Sequence, residues 1–161
     1  MAEALALSAS IVAVVQIAGQ VANICKAYIE GVANYPRDLR VILIETSSLK
    51  VLLENLTFLV ENDDNSATLL SSLGGENGPI EGCRQATLEL ENLFPSEQLQ
   101  TYRRGGRRNR ARLSLAVLAW PFREQQARAL LGQLVQHKTS ISLAVSAESL
   151  YVMRLPLYWR G

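Results

Sequence analysis

Histidine is almost absent from this chain. His137 is the only one among 161 residues, and cysteine occurs twice, at Cys25 and Cys83. Structural zinc sites take Cys and His ligands in closely spaced pairs, and no such pair exists here. The two thiols sit among apolar neighbours and read as buried free cysteines of a reducing compartment, with a disulfide between them left open. Phosphate-cradling motifs are missing too. Neither Gly74-Gly75 nor Gly105-Gly106 belongs to a Walker run or to a dinucleotide fingerprint after a strand, so both pairs read as flexible loops. No nucleophile stands at a telling spacing from His137, which falls on an apolar helical stripe and reads as a satisfied, half-buried side chain. Glu45, Glu54 and Glu61 fall on polar helix faces and read as solvated. These absences predict no catalytic, cofactor-binding or metal-binding residues, no small-molecule substrate and no enzymatic activity.

Aromatic residues are also scarce, at 6%, yet 48% of the chain is apolar. Leu, Ala, Val and Ile carry that weight, enough for a core of helices packed through aliphatic side chains and too much for wholesale disorder. No segment alternates with period two, so no sheet is expected. Residues 4–33 read as one long helix, with Leu7, Ile11, Val14, Ala18, Val21, Cys25, Tyr28 and Val32 on one face. Asn34-Tyr35-Pro36 breaks it. A second helix runs from Pro36 to about Val60 on the stripe Leu39, Ile42, Thr46, Leu49, Leu53, Leu56 and Val60, with Asp38 at its positive end. A loop follows, in which Leu69, Leu70 and Leu73 suggest one helical turn. Pro79 to about Phe94 forms a third helix, and residues 95–111 a second loop. Arg112–Ala119 reads as a short extra helix, Trp120-Pro121-Phe122 interrupts it, and a last long helix extends to about Ala147. Pro156 is expected to prevent a clean helix in the final residues. The fold class is therefore all-α, a four-helix bundle over residues 1–148 with a short tail at 149–161.

Charge is lacking in one region and concentrated in another. Residues 4–25 hold no charged side chain. About 20 apolar residues suffice to cross a bilayer as a helix, and small residues recur four apart at Ala6 and Ser10, Ala9 and Ala13, and Ala18 and Ala22. The membrane-insertion candidates are Leu5, Leu7, Ile11, Val12, Val14, Val15, Ile17, Val21 and Ile24. The other reading, compatible with release on activation, is the central buried helix of a soluble bundle. Its start, Met1-Ala2-Glu3, has no basic residue before Lys26, which argues against a secretory signal, and Ala2 removes the myristoylation motif.

Residues 1–99 hold 5 basic and 13 acidic side chains, whereas residues 100–161 hold 11 basic and 2 acidic ones, for a net charge of +1. The halves can attract each other within one fold, or the basic half can meet an anionic surface. Arg103, Arg104, Arg107, Arg108, Arg110 and Arg112 make the densest cluster. They are candidates for contact with anionic lipid. Nucleic acid is disfavoured, because Tyr102 is the one aromatic beside them.

Two stretches carry a family resemblance. MAEALALSASIVAVVQIAGQVANICKAYIEGVANYPRDLRVILIETSSLKVLLENL and ARLSLAVLAWPFREQQARALLGQLVQHKTSISLAVSAE together resemble the HeLo-like domains of fungi, which stand ahead of NACHT or ankyrin-repeat regions in NOD-like receptor proteins. The second block is the more specific, with Trp-Pro-Phe, a following acidic residue and an amphipathic helix through His137-Lys138. The resemblance implies a bundle serving as the signalling or effector end of an immune-type receptor. It also implies links to membrane permeabilisation and programmed cell death, with residues from Leu5 to about Ile24 as the membrane-active part. No nucleotide-binding or repeat region follows residue 148 within these 161 residues. The expected partners are another protein or a second copy, with an anionic membrane on activation. The expected location is the cytoplasm.

Overall fold

A computed structural model describes residues 2–62, 71–94 and 117–158. Among them there is no strand. Four helices pack against one another: α1 (Ala2–Gly31), α2 (Arg37–Asn62), α3 (Pro79–Asn92) and α4 (Glu124–Tyr158). Two short 3-10 turns, Ser71–Gly74 and Trp120–Phe122, precede α3 and α4.

The apolar stripes explain the packing. Leu7, Ile11, Val14, Ala18, Val21, Cys25 and Tyr28 of α1 are buried. They meet the predicted stripe of α2, in which Leu39, Ile42, Thr46, Leu49, Leu53, Leu56 and Val60 are buried too. Ile80, Cys83, Ala86, Thr87 and Leu90 of α3, and Ala127, Leu130, Leu131, Leu134 and Ile141 of α4, complete the core. Thr46 and Thr87 are polar but satisfied. Each hydroxyl donates to the carbonyl four residues back, at 2.7 Å on Ile42 and 2.6 Å on Cys83.

A short turn around Asn34-Tyr35-Pro36 sends α2 back along α1. The start of α4 is tied to the start of α2. Asp38 accepts from the indole Nε1 of Trp120 at 3.4 Å and from Nε of Arg128 at 3.3 Å. About two turns farther along α2 and nearly three along α4, Lys138 donates to Glu45 and, at 3.3 Å, to Ser48. These ties make α2 and α4 parallel neighbours. Arg123, just before α4, donates to the carbonyl of Leu93 and satisfies an acceptor left at the end of α3. Tyr28, Phe94 and Trp120 close this end of the bundle with ring centroids 5.7 and 5.8 Å apart.

Two expectations change. The last helix does not stop near Ala147 but runs to Tyr158, so residues 149–158 extend α4 and are not an irregular tail. Pro156 falls within the final turn, where the backbone hydrogen bond it removes lies close to the helix end. Glu45 is not simply solvated, because Lys138 reaches it across 93 residues of sequence. Of the short helix expected over Arg112–Ala119, residues 117–118 are helical, and 112–116 lie outside the described residues. Of the helical turn expected at Leu69, Leu70 and Leu73, the described part is the 3-10 turn Ser71–Gly74, with Leu73 buried, and Leu69 and Leu70 lie outside the described residues.

Candidate interaction surface

The nine membrane-insertion candidates divide by helical face. Leu7, Ile11, Val14, Val21 and Ile24 point into the core. Val15 and Ile17 are half-buried against it. Leu5 and Val12 face outward, 70% and 49% exposed. The buried stripe does not account for an apolar outward face, and α1 is apolar nearly all round only in its first half. Its second half turns Gln16, Gln20, Asn23, Lys26 and Glu30 outward, with Lys26 and Glu30 3.9 Å apart as an exposed pair.

By length and composition, Leu5–Gly31 is able to cross a membrane, with a mean hydropathy of 1.9. Only 28% of its most apolar stretch is buried within the bundle. A helix hydrophobic all round is normally enclosed. This one is enclosed along a single stripe.

The six arginines Arg103, Arg104, Arg107, Arg108, Arg110 and Arg112 lie outside the described residues.

A second apolar surface went unread in the sequence. On α2, the side opposite the core stripe carries Val41, Ile44 and Val51, each about half exposed at 45%, 57% and 56%, and Phe58 continues the line. Ser48 and Asn55 fill the intervening positions. The signal was a second run spaced by three and four residues, masked because the stronger core stripe shares the helix. On α4, Val135, Leu143 and Leu150 are exposed as well. Between the two helices lies a shallow groove of about 260 Å³ lined by Ser48, Leu52, Lys138, Thr139, Ser142 and Leu143.

Nothing in the described residues resembles a reactive centre. The cavity beneath the aromatic end, between Tyr28, Leu39, Phe94 and Trp120, has about 10 Å³ of space, room for about one water. Burial pushes the Cys83 thiol up to about 12, against an ordinary 9.0, and Lys138 only partly offsets this. Both cysteines are free and buried. His137 is half-buried and packs on Gly82. No group of three or more His, Cys, Asp or Glu side chains among the described residues is placed to hold a metal ion. The Glu81 carboxylate is held below its usual range by the Arg84 guanidinium, which donates to both of its oxygens at 2.7 and 2.6 Å. That is a surface helix pair, not a site.

No family model, no curated protein and no solved structure matches this chain.

Proposed function

We propose that this bundle is a signalling or effector module that acts by contact, with α1 as a segment that can exchange the bundle core for a membrane. The observation that carries the reading is the outward apolar half of α1, with Leu5 and Val12 exposed on a helix that holds no charge from residue 4 to 25. An outward apolar face gives lipid a place to start. The buried stripe then follows only if the helix leaves its neighbours.

Magnitudes set the condition. Burial of Leu7, Ile11, Val14, Val21 and Ile24 contributes roughly 1.5–3 kcal/mol each, about 10 kcal/mol together. Lipid returns most of that transfer energy to α1 itself, but not to the faces of α2 and α3 it uncovers. The stability of a whole domain is about 5–15 kcal/mol, so release of α1 needs a trigger or a strong membrane gain. The arginines from Arg103 to Arg112 fit that gain, since basic side chains near an anionic bilayer contribute about 1 kcal/mol each. The similarity to HeLo-like domains supports the same reading, with cell death or incompatibility as the output. A cytoplasmic module that becomes membrane-associated on activation is the setting proposed.

A second reading is a soluble adaptor that binds protein partners without touching lipid. The exposed Val41, Ile44 and Val51 on α2 favour it.

Dye leakage from anionic and neutral vesicles separates the two. Deleting residues 1–24 is a poor control, because it strips Leu7, Ile11, Val14, Ala18, Val21 and Ile24 from the core. Leu5→Asp and Val12→Asp leave the core intact and charge only the outward face. The membrane reading expects leakage by the full chain, stronger with anionic vesicles, and loss of leakage in both variants. Equal leakage by both variants, or none from the full chain, would leave the adaptor.

A further inference from the structure

The outward face of α2 has a property that the membrane reading does not use. Its line of positions Val41, Ile44, Ser48, Val51, Asn55 and Phe58 holds no charge. Interface centres are depleted of charge in the same way. Arg37, four residues before Val41, begins the line at the helix start; along its margins the order is asymmetric, with Arg40 near the beginning and Glu61 near the end, all three exposed.

We propose that this face pairs with the same face of a second copy, the two α2 helices running antiparallel about a two-fold axis between residues 49 and 50. Helical spacing then sets every contact. Val41 meets Phe58 of the second copy, Ile44 meets Asn55, and Ser48 meets Val51. The axis sets Arg40 level with Leu59 of the second copy, within a helical turn of Glu61 on the same flank, and repeats that proximity at the other end. The remaining charges do not collide. Glu45 and Glu54 of the second copy are level but stand on opposite flanks of the contact line, and Glu45 is already bonded to Lys138. A parallel arrangement loses the Arg40–Glu61 match and stacks each residue on itself.

The available area is of the right order. A helix of 26 residues is about 39 Å long. With α4 alongside, the face is roughly 20 Å wide. That amounts to about 700–800 Å² per copy, close to the roughly 800 Å² of a standard stable interface. The groove lined by Ser48, Leu52, Lys138, Thr139, Ser142 and Leu143 runs along one flank of this face, and Val135 is exposed on α4 beside it.

Sedimentation equilibrium of the full chain without lipid tests this, from about 1 to 100 μM, alongside Val51→Asp, Ile44→Glu, Arg40→Glu and the double variant Arg40→Glu/Glu61→Arg. All four positions are exposed, and circular dichroism verifies that each variant keeps its helix content. A monomer–dimer equilibrium is expected. Val51→Asp and Ile44→Glu raise the dissociation constant by about tenfold or more. Arg40→Glu raises it about threefold, and the double variant recovers the original value. A monomer at every concentration overturns the proposal, as does a dimer that Val51→Asp and Ile44→Glu leave unchanged. Failure of the double variant to recover overturns the antiparallel register. None of these outcomes depends on vesicle leakage, so the pairing and the membrane reading stand or fall separately.

Discussion

Gly82 of α3 lies directly against the imidazole of His137 on α4. A Cβ at residue 82 would stand 2.4 Å from both Cε1 and Nε2 of the ring. That separation is far below any real carbon contact, so the missing side chain is what lets the two helices approach. The histidine fills the space that glycine leaves.

Gly82→Ala is therefore expected to destabilise the bundle, although alanine favours helices by about 1 kcal/mol. Overpacking of a well-filled contact costs about 1–3 kcal/mol. The net loss is about 0–2 kcal/mol, read by urea unfolding. In Gly82→Ala/His137→Ala the penalty of the first change should largely vanish, because its clash partner is gone. Additive losses would mean that the ring moves aside freely.

The two faces of α1 should respond in opposite ways. Ile11 is fully buried, and Ile11→Ala is expected to cost about 2–5 kcal/mol. Val12→Ser, one residue on, should stay within about 0.5 kcal/mol. Chemical denaturation of both variants checks this. Equal losses would place α1 in a rotation other than the one described.

Asp38 joins three elements, accepting from Trp120 and Arg128 in the first turn of α2. Asp38→Ala leaves the buried indole N–H without its acceptor, at a cost of about 1–3 kcal/mol. Thermal unfolding reads the loss. Arg128→Ala should cost less, about 0–1 kcal/mol, because that side chain is largely exposed.

Alkaline pH should weaken the fold through Cys83. Its thiol is raised from 9.0 to about 12 by burial, so the folded chain holds the proton after the unfolded chain has released it. The stability contribution is intact below pH 9 and is lost as pH rises from 9 toward 12. Burial raises Cys25 and Tyr28 to about 12 as well, so Cys83→Ala should remove only its own share of that loss. An identical profile would assign the alkaline loss to other groups. At pH 8 the same burial predicts that iodoacetamide modifies Cys83 in the folded chain only slowly, and much faster in denaturant.

Much of this architecture is legible in the residues because helical periodicity is local. The core stripes of α1 and α2 follow from spacings of three and four, and Pro79 marks the start of α3 within the chain itself. What periodicity does not carry is which stripe meets which. The Asp38–Trp120 and Glu45–Lys138 ties span 82 and 93 residues, and each of these side chains alone looks like an ordinary cap or surface charge. The Gly82–His137 contact is similarly silent, since a glycine in a helix usually signals weakness and not proximity. The exposed line on α2 was hidden by the stronger stripe on the same helix. Pro156 misled because proline statistics describe helix interiors, whereas this one falls in the last turn of α4.

The central claim is that the outward half of α1 enters lipid. The most direct measurement attaches an environment-sensitive dye to a cysteine at position 12, in a chain also carrying Cys25→Ala and Cys83→Ala, and adds anionic vesicles that contain a lipid-confined quencher. Insertion predicts a blue-shifted emission, quenching from within the bilayer and protection from aqueous iodide. A dye that stays open to iodide and untouched by the lipid quencher, on a chain that has bound the vesicles, would contradict it.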